Sequence, residues 1–258
     1  MIRSARCARS GRERFVAVAI MICTSAARAI GQGGPPMITD DPETPGPGKW
    51  EINIAATLEE NSGRRLFGAP VLDMNYGVGE RIQLKLEGAW LVRDDGRGIA
   101  TDAGSALAGV KWRFFDEKYD VVSMSIYPQI EWNLDPRAAR RGLVNHGTHL
   151  ILPIEIARSF GRLELDGEIG YVAGFGAKDS CIFGTIAGWK FTDRFELMTE
   201  LHGDIAIHDK SPQLTLNVGS RIEISEKTSL ISSFGRDVHT PPGEHERWLA
   251  YVGLQVSL

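Results

Sequence analysis

The sequence predicts an all-β fold: a transmembrane, antiparallel, up-and-down β-barrel of about twelve strands. Three observations predict it. Between Trp50 and Leu258, apolar and polar residues alternate with a period of two over strand-length segments. The connections between these segments alternate between short turns and longer polar, Gly-rich stretches. No stretch beyond residue 29 approaches the roughly 18 apolar residues that a spanning helix needs. A closed barrel is the one sheet that leaves no unpaired backbone group facing lipid.

Alternation alone does not say which face points outward. About eight strands enclose a space that side chains can fill, so twelve strands with apolar residues inward would leave a greasy void. The apolar face is therefore expected outside. A two-sheet sandwich is the soluble alternative, but it gives no reason for every second connection to be long.

Taken in order, residues 1–29 carry Arg3, Arg6, Arg9, Arg12 and Arg14, then the apolar run Phe15 to Cys23, then Ala27-Arg28-Ala29. This is the pattern of a cleaved secretory signal. Cys23 follows Ile20-Met21-Ile22, which lacks the small residue that precedes a lipidated cysteine. Removing the signal leaves 23 basic and 32 acidic residues, a net charge of −9 that excludes nucleic acid as an expected partner. Only Cys181 then remains, so no intramolecular disulfide is available. Residues 30–48 are rich in Pro and Gly and are expected to form an extended periplasmic leader. Residues 49–258 form the barrel.

The first strand sets Trp50, Ile52, Ile54, Ala56 and Leu58 against Glu51, Asn53, Ala55, Thr57 and Glu59. The third opposes Ile82, Leu84, Leu86 and Trp90 to Gln83, Lys85 and Glu87, and the tenth opposes Leu214, Leu216, Val218 and Ile222 to Thr215, Asn217, Arg221 and Glu223. Short turns fall at 77–80, 116–120, 159–162, 192–193 and 225–228. Long loops are expected at 59–68, 92–102, 133–147, 174–180, 203–212 and 235–246. Long loops at one end only, with both termini at the other, fit an even-stranded outer-membrane barrel. The eighth strand is untidy, with Ile182 and Ile186 on the wet side, and the eleventh looks short. Pro128 and Pro153 fall in mid-strand and should each mark a bulge or bend.

Trp50, Tyr76, Trp90, Trp112, Phe114, Trp132, Phe160, Phe191, Phe195 and Trp248 fall near strand ends, as an aromatic girdle requires. The last segment, Trp248 to Leu258, resembles the C-terminal strand that barrel-assembly machinery recognises, with Leu in place of the usual final Phe.

With the wet face inward, the lumen collects Glu51, Asp73, Glu87, Glu131, Glu155, Glu164, Asp166, Glu168, Glu196, Glu200 and Glu223. Against them stand Lys85, Lys111, Arg113, Lys190 and Arg221. Mixed charge inside a barrel makes a narrow polar channel or a salt-bridged plug, and the acid excess favours cations. Asp40, Asp41 and Glu43 precede the first strand and are expected at the periplasmic mouth. There they would cap the pore, meet a partner, or simply make local side-chain to backbone bonds beside prolines.

The stretch Pro35-Pro36-Met37-Ile38-Thr39-Asp40-Asp41-Pro42-Glu43, followed by Gly48-Lys49-Trp50-Glu51, resembles the start of a family of outer-membrane proteins. Its label refers to the meta-pathway of phenol degradation. The resemblance implies an outer-membrane barrel that moves small, including aromatic, solutes, and it names no catalytic residue.

Hidden chemistry is limited. His146, His149, His202, His208, His239 and His245 fall in or beside three loops. The His146-x-x-His149 spacing could chelate a metal, but no cysteine or helix fixes it, so no metal site and no cofactor are expected. A lipid hydrolase would need a serine polarised by histidine, and Ser105, Ser180 and Ser220 have no partner that spacing assigns. The expected function is a non-enzymatic outer-membrane channel for small solutes, whose partners are membrane lipids, the assembly machinery and the solute. A structural or adhesive barrel without conduction is the alternative, with the hydrolase behind it.

Overall fold

The computed structural model describes residues 34–207, 211–243 and 245–258. The predicted signal, residues 30–33 of the leader and His208 lie outside these. Thirteen strand segments run β1 (Trp50–Asn61), β2 (Arg64–Val78), β3 (Ile82–Asp94), β4 (Ile99–Phe115), β5 (Ser123–Ile126), β6 (Gln129–Asn133) and β7 (Thr148–Phe160). They continue with β8 (Leu163–Phe175), β9 (Ser180–Thr192), β10 (Phe195–Ala206), β11 (Gln213–Ser225), β12 (Thr228–His239) and β13 (Arg247–Ser257).

Strands pair antiparallel with their sequence neighbours except β5 and β6, which do not pair with one another and together make a single stave between β4 and β7. The wall therefore has twelve staves. It closes where β1 meets β13, in register from Glu51↔Ser257 to Asn61↔Arg247. At the seam Leu258 donates to the Trp50 carbonyl at 2.9 Å and Trp50 donates back at 3.0 Å.

The stave formed by β5 and β6 is broken at Tyr127-Pro128 because proline has no N–H to give the ladder. The break still bonds to both flanking staves: the Pro128 carbonyl accepts from Val110 at 3.0 Å, and Tyr127 donates to the Pro153 carbonyl at 3.1 Å. Pro153 itself lies within an uninterrupted β7, where it pairs with Gly170. The expected short eleventh strand is instead the 12-residue β12.

The loops are shorter than the sequence suggests. β1 and β2 are joined by Ser62 and Gly63 alone, both with positive φ, and β3 and β4 by residues 95–98. Polar residues at these positions extend the ladder into solvent through cross-strand pairs such as Glu60 with Arg65 at 3.5 Å. Among the described residues, only 134–147 remains a long excursion. It holds the short helix α1 (Pro136–Arg140), whose Ala138 packs with Leu143 and Ala100 against Leu66 and Leu91. Below, the end holding Trp50 and Leu258 is called the turn end and the opposite one the loop end.

Burial is inverted relative to a soluble protein. Leu84, Leu86, Val110, Trp112, Leu216 and Val218 are all exposed on the outside, while Asn53, Asp73, Lys111, Glu155 and Glu200 are at most 2% exposed within. Aromatic pairs stand near both rims, Trp50 with Tyr76 at 4.8 Å and Phe191 with Phe195 at 5.7 Å at the turn end, and Phe234 with Trp248 at 5.5 Å towards the loop end. Among the described residues, no helix is long and apolar enough to cross a membrane. The exterior predicts a substitution effect: Leu86→Arg, at mid-strand on the outer face, should cost about 2–4 kcal/mol when the barrel is folded into lipid vesicles. Unfolding titrations of both proteins in vesicles check it, and equal stability would contradict a lipid-facing Leu86.

Candidate functional site

The lumen is occupied by the chain's own leader. From Trp50 the polypeptide runs back across the turn end, with Gly48 donating to the Gly77 carbonyl at 2.9 Å and Thr44 to the Glu80 carbonyl at 3.0 Å. It then enters the barrel and reaches Met37 and Thr39, both under 7% exposed.

Three layers hold it. Nearest the turn end, Glu43 meets Arg113 in an ion pair, and Arg113 also binds Asp116 at 3.0 Å and the Glu80 carbonyl at 2.8 Å. Next, Lys111, 1% exposed, bonds Asp40 at 2.9 Å, Glu155 at 3.3 Å and the Asp41 carbonyl, with its ammonium 4.6 Å from the Tyr127 ring centroid. Deepest, Glu200 accepts from the backbone N–H groups of Ile38 at 3.0 Å and Thr39 at 2.5 Å, while Glu168 accepts from that of Asp40 at 3.2 Å. Beside them Met37 packs on Ile186 and Met198, its sulfur receiving the Asn217 amide at 3.6 Å.

This overturns the placement of Asp40 and Asp41 at the mouth. They lie inside, because Lys111 provides a buried cation that draws Asp40 and the Asp41 carbonyl inward. Glu43 stays closest to the mouth. Local bonds exist as well: Asp41 donates to Asp40 at 2.8 Å and Glu43 to Asp41 at 2.6 Å.

Burial pushes the Asp40 carboxyl up, but the charge and hydrogen bond of Lys111, with help from Lys85, hold it below its usual range. Asp41 differs. Burial, with Asp40 and Glu43 adding to it, raises its carboxyl from 3.8 to about 6, which the charge of Lys111 only partly offsets. A carboxyl whose seated value is raised carries a penalty that is full above about 6 and fades as pH falls toward 3.8. Asp41→Asn, which keeps the oxygen that Glu43 donates to, should therefore stabilise the seated leader at pH 7.5 and lose most of that advantage by about pH 4. Unfolding temperatures of both proteins at the two pH values check it, and a gain that grows on acidification would contradict the account.

The predicted lumen residues take the following positions. Asp73 receives Asn53 at 3.1 Å and Asn75 at 3.2 Å, and Lys85 bridges it to Glu87 at 3.5 and 3.1 Å. Lys190 pairs with Glu164 at 3.0 Å and Arg221 with Glu196 at 3.3 Å. Lys111, Arg113, Glu155, Glu168 and Glu200 contact the leader or its partners, as above. Glu51 and Glu223 line a cavity of about 870 Å³ at the turn end. Glu131 lines another, of about 750 Å³, toward the loop end. Asp166, 4% exposed, has no hydrogen-bond partner for either oxygen among the described residues.

The predicted lumen set holds charged residues alone, although the alternation already puts the neutral Asn53, Gln83 and Asn217 on the wet face. Gln83 links Asn75 at 2.8 Å to the Tyr127 hydroxyl at 3.2 Å, and Asn217 donates to Glu200 at 3.1 Å. Their signal was present, since Asn53 follows Glu51 by two and Asn75 follows Asp73 by two.

His146, His149 and His202 line the loop-end cavity, with His149 3.5 Å from Glu131 and Ser105 donating to the same carboxylate at 2.6 Å. The carboxylate stands between serine and histidine, whereas a nucleophilic relay needs the histidine in the middle. Among the described residues, no three His, Cys, Asp or Glu side chains are placed to hold a metal ion.

A closed wall, an apolar exterior and a charged interior define a transmembrane β-barrel. No protein family matches the chain, and no curated protein matches it in sequence. Solved structures do. The KdgM porin superposes with a TM-score of 0.57 at 10% identity, covering 80% of this chain and 99% of its own. An outer membrane channel from Pseudomonas putida F1 gives 0.57 at 13% identity, covering 84% and 98%. At such identity these likenesses establish the shared fold.

Proposed function

We propose that this protein is an outer-membrane channel for small solutes, delivered by a cleaved signal and inserted by the barrel-assembly machinery, whose pore is closed by its own leader. One observation carries the reading. Two cavities, of about 750 and 870 Å³, lie toward opposite ends of the lumen with the leader between them; Gly34, Pro35 and Asp40 of the leader and Asp73 and Lys85 of the wall line both. Without residues 34–43 in place, the charged interior would be one passage. The likeness to the KdgM porin and to the Pseudomonas putida F1 channel supports the same function at the level of fold.

Solute class follows from the walls. Carboxylates outnumber lysines and arginines along the lumen, which favours cations over anions. Ile151, Val172 and Ile182 add apolar surface to the loop-end cavity, which suits the aromatic or other hydrophobic solutes that the leader's resemblance implies. No catalytic step is assigned to any residue.

Planar-bilayer recording tests the reading. Wild-type protein should show rare or small openings, and a variant with an unseated leader should show steady, cation-preferring ones. A barrel that inserts correctly and stays silent in both states would favour a purely structural role, a reading the filled lumen also permits. Liposome uptake of phenol against a sugar of similar size then separates the solute classes.

A further inference from the structure

We propose that the lumen wall is a peptide-binding site, with the leader as its tethered occupant, and that it accepts a matching peptide, turned as the leader is, supplied in trans. The contacts point to this because so many of them read main chain. Glu200 takes two successive backbone N–H groups and Glu168 takes the next. Lys111 donates to the Asp41 carbonyl, and Ser233 donates to that of Pro36 at 2.7 Å. Such a set holds a peptide by its main chain, and it does so with side chains because a closed wall has no strand edge to offer; the held segment is turned rather than extended, with Met37 donating to the Gly34 carbonyl at 2.8 Å and Gly34 to the Thr39 carbonyl at 2.7 Å.

Two further features supply selectivity. Ile186 and Met198 form an apolar socket for Met37 in an otherwise charged interior. At Gly184 a Cβ would stand 1.9 Å from the Thr39 hydroxyl, and at Gly219 one would stand 2.8 Å from the Met37 sulfur, so the wall is hollowed where these two side chains sit. The expected ligand is thus a turn-forming segment with an unbranched apolar residue, a small hydroxyl residue two positions on, and carboxylates after it. A short tether presents such a segment at about millimolar effective concentration, so modest intrinsic affinity is enough to keep the leader seated.

Fluorescence anisotropy tests the site directly. The probe is a fluorescein-labelled peptide of residues 34–43, and the target is the full-length chain carrying Met37→Asp and Thr39→Arg, which should unseat its own leader. Binding should be saturable. It should weaken at least ten-fold when the peptide carries the same two substitutions, and again when Glu200→Gln is added to the chain. A second measurement starts from the seated state: in full-length protein with Met37→Cys and Cys181→Ser, excess wild-type peptide should speed maleimide modification of residue 37 several-fold, and the altered peptide should not. Equal binding of both peptides, no effect of Glu200→Gln, or no peptide-dependent change at residue 37 would each overturn the site. The site does not depend on conduction: a variant that binds peptide yet stays silent in bilayers would remove the channel reading and leave this one standing.

Discussion

Lys111→Met should be the most damaging single substitution in the lumen, lowering stability by about 3–5 kcal/mol, the usual cost of removing one partner from a buried ion pair. The methionine keeps the volume but leaves Glu155, fully buried, and Asp40 without their shared cation. The Asp41 carbonyl loses its donor in the same step. The temperature at which the compact, fast-migrating form disappears from detergent gels reports the loss. Adding Glu155→Gln should recover a good part of it, because the worst of the stranded charge is then gone. If Lys111→Met alone melts with the wild type, the layer around Lys111 does not hold the leader.

Gly184→Val should leave the wall intact and evict the leader. Valine suits a strand, and position 184 faces the lumen, so the ladder has no reason to change. The added carbon would meet the Thr39 hydroxyl at 1.9 Å, however, and the backbone there is fixed by Glu200 and cannot yield. Eviction forfeits several hydrogen bonds to charged groups, each worth about 1.5–3 kcal/mol. The expected result is a folded barrel whose leader is cut by added protease and whose conductance rises. Gly167→Ala is the control, since its new carbon would find Ile156 at a tolerable 3.4 Å and should keep the leader protected. A protected leader in the valine variant would mean that the seat is looser than these contacts require.

The wall was legible in the sequence because its rule is local. Period-two alternation places Asp73, Lys85, Glu155 and Glu196 inward without knowledge of any distant residue. Loop lengths are less legible for a related reason: Glu60, Arg65 and their neighbours are polar, and a local pattern marks polarity as the end of a strand, although pairing continues past the apolar belt. The seat of the leader was not legible, since its bonds join residues 162 positions apart in one case and 197 in another. No local pattern encodes such partners. One clue did exist, in the apolar residues breaking the wet face. Ile186 looked like an error of alternation, and so would Met198 between Glu196 and Glu200, yet together they are the socket for Met37. An irregularity in a barrel pattern is thus worth reading as a contact with something inside.

The groups that grip the leader are spread around the whole ring: Lys111 on β4, Glu168 on β8, Glu200 on β10 and Ser233 on β12. They face one another only because the sheet is rolled into a cylinder. A flat sheet would hold these groups too far apart to grip one segment, so a seated N-terminus is itself a readout of a rolled wall.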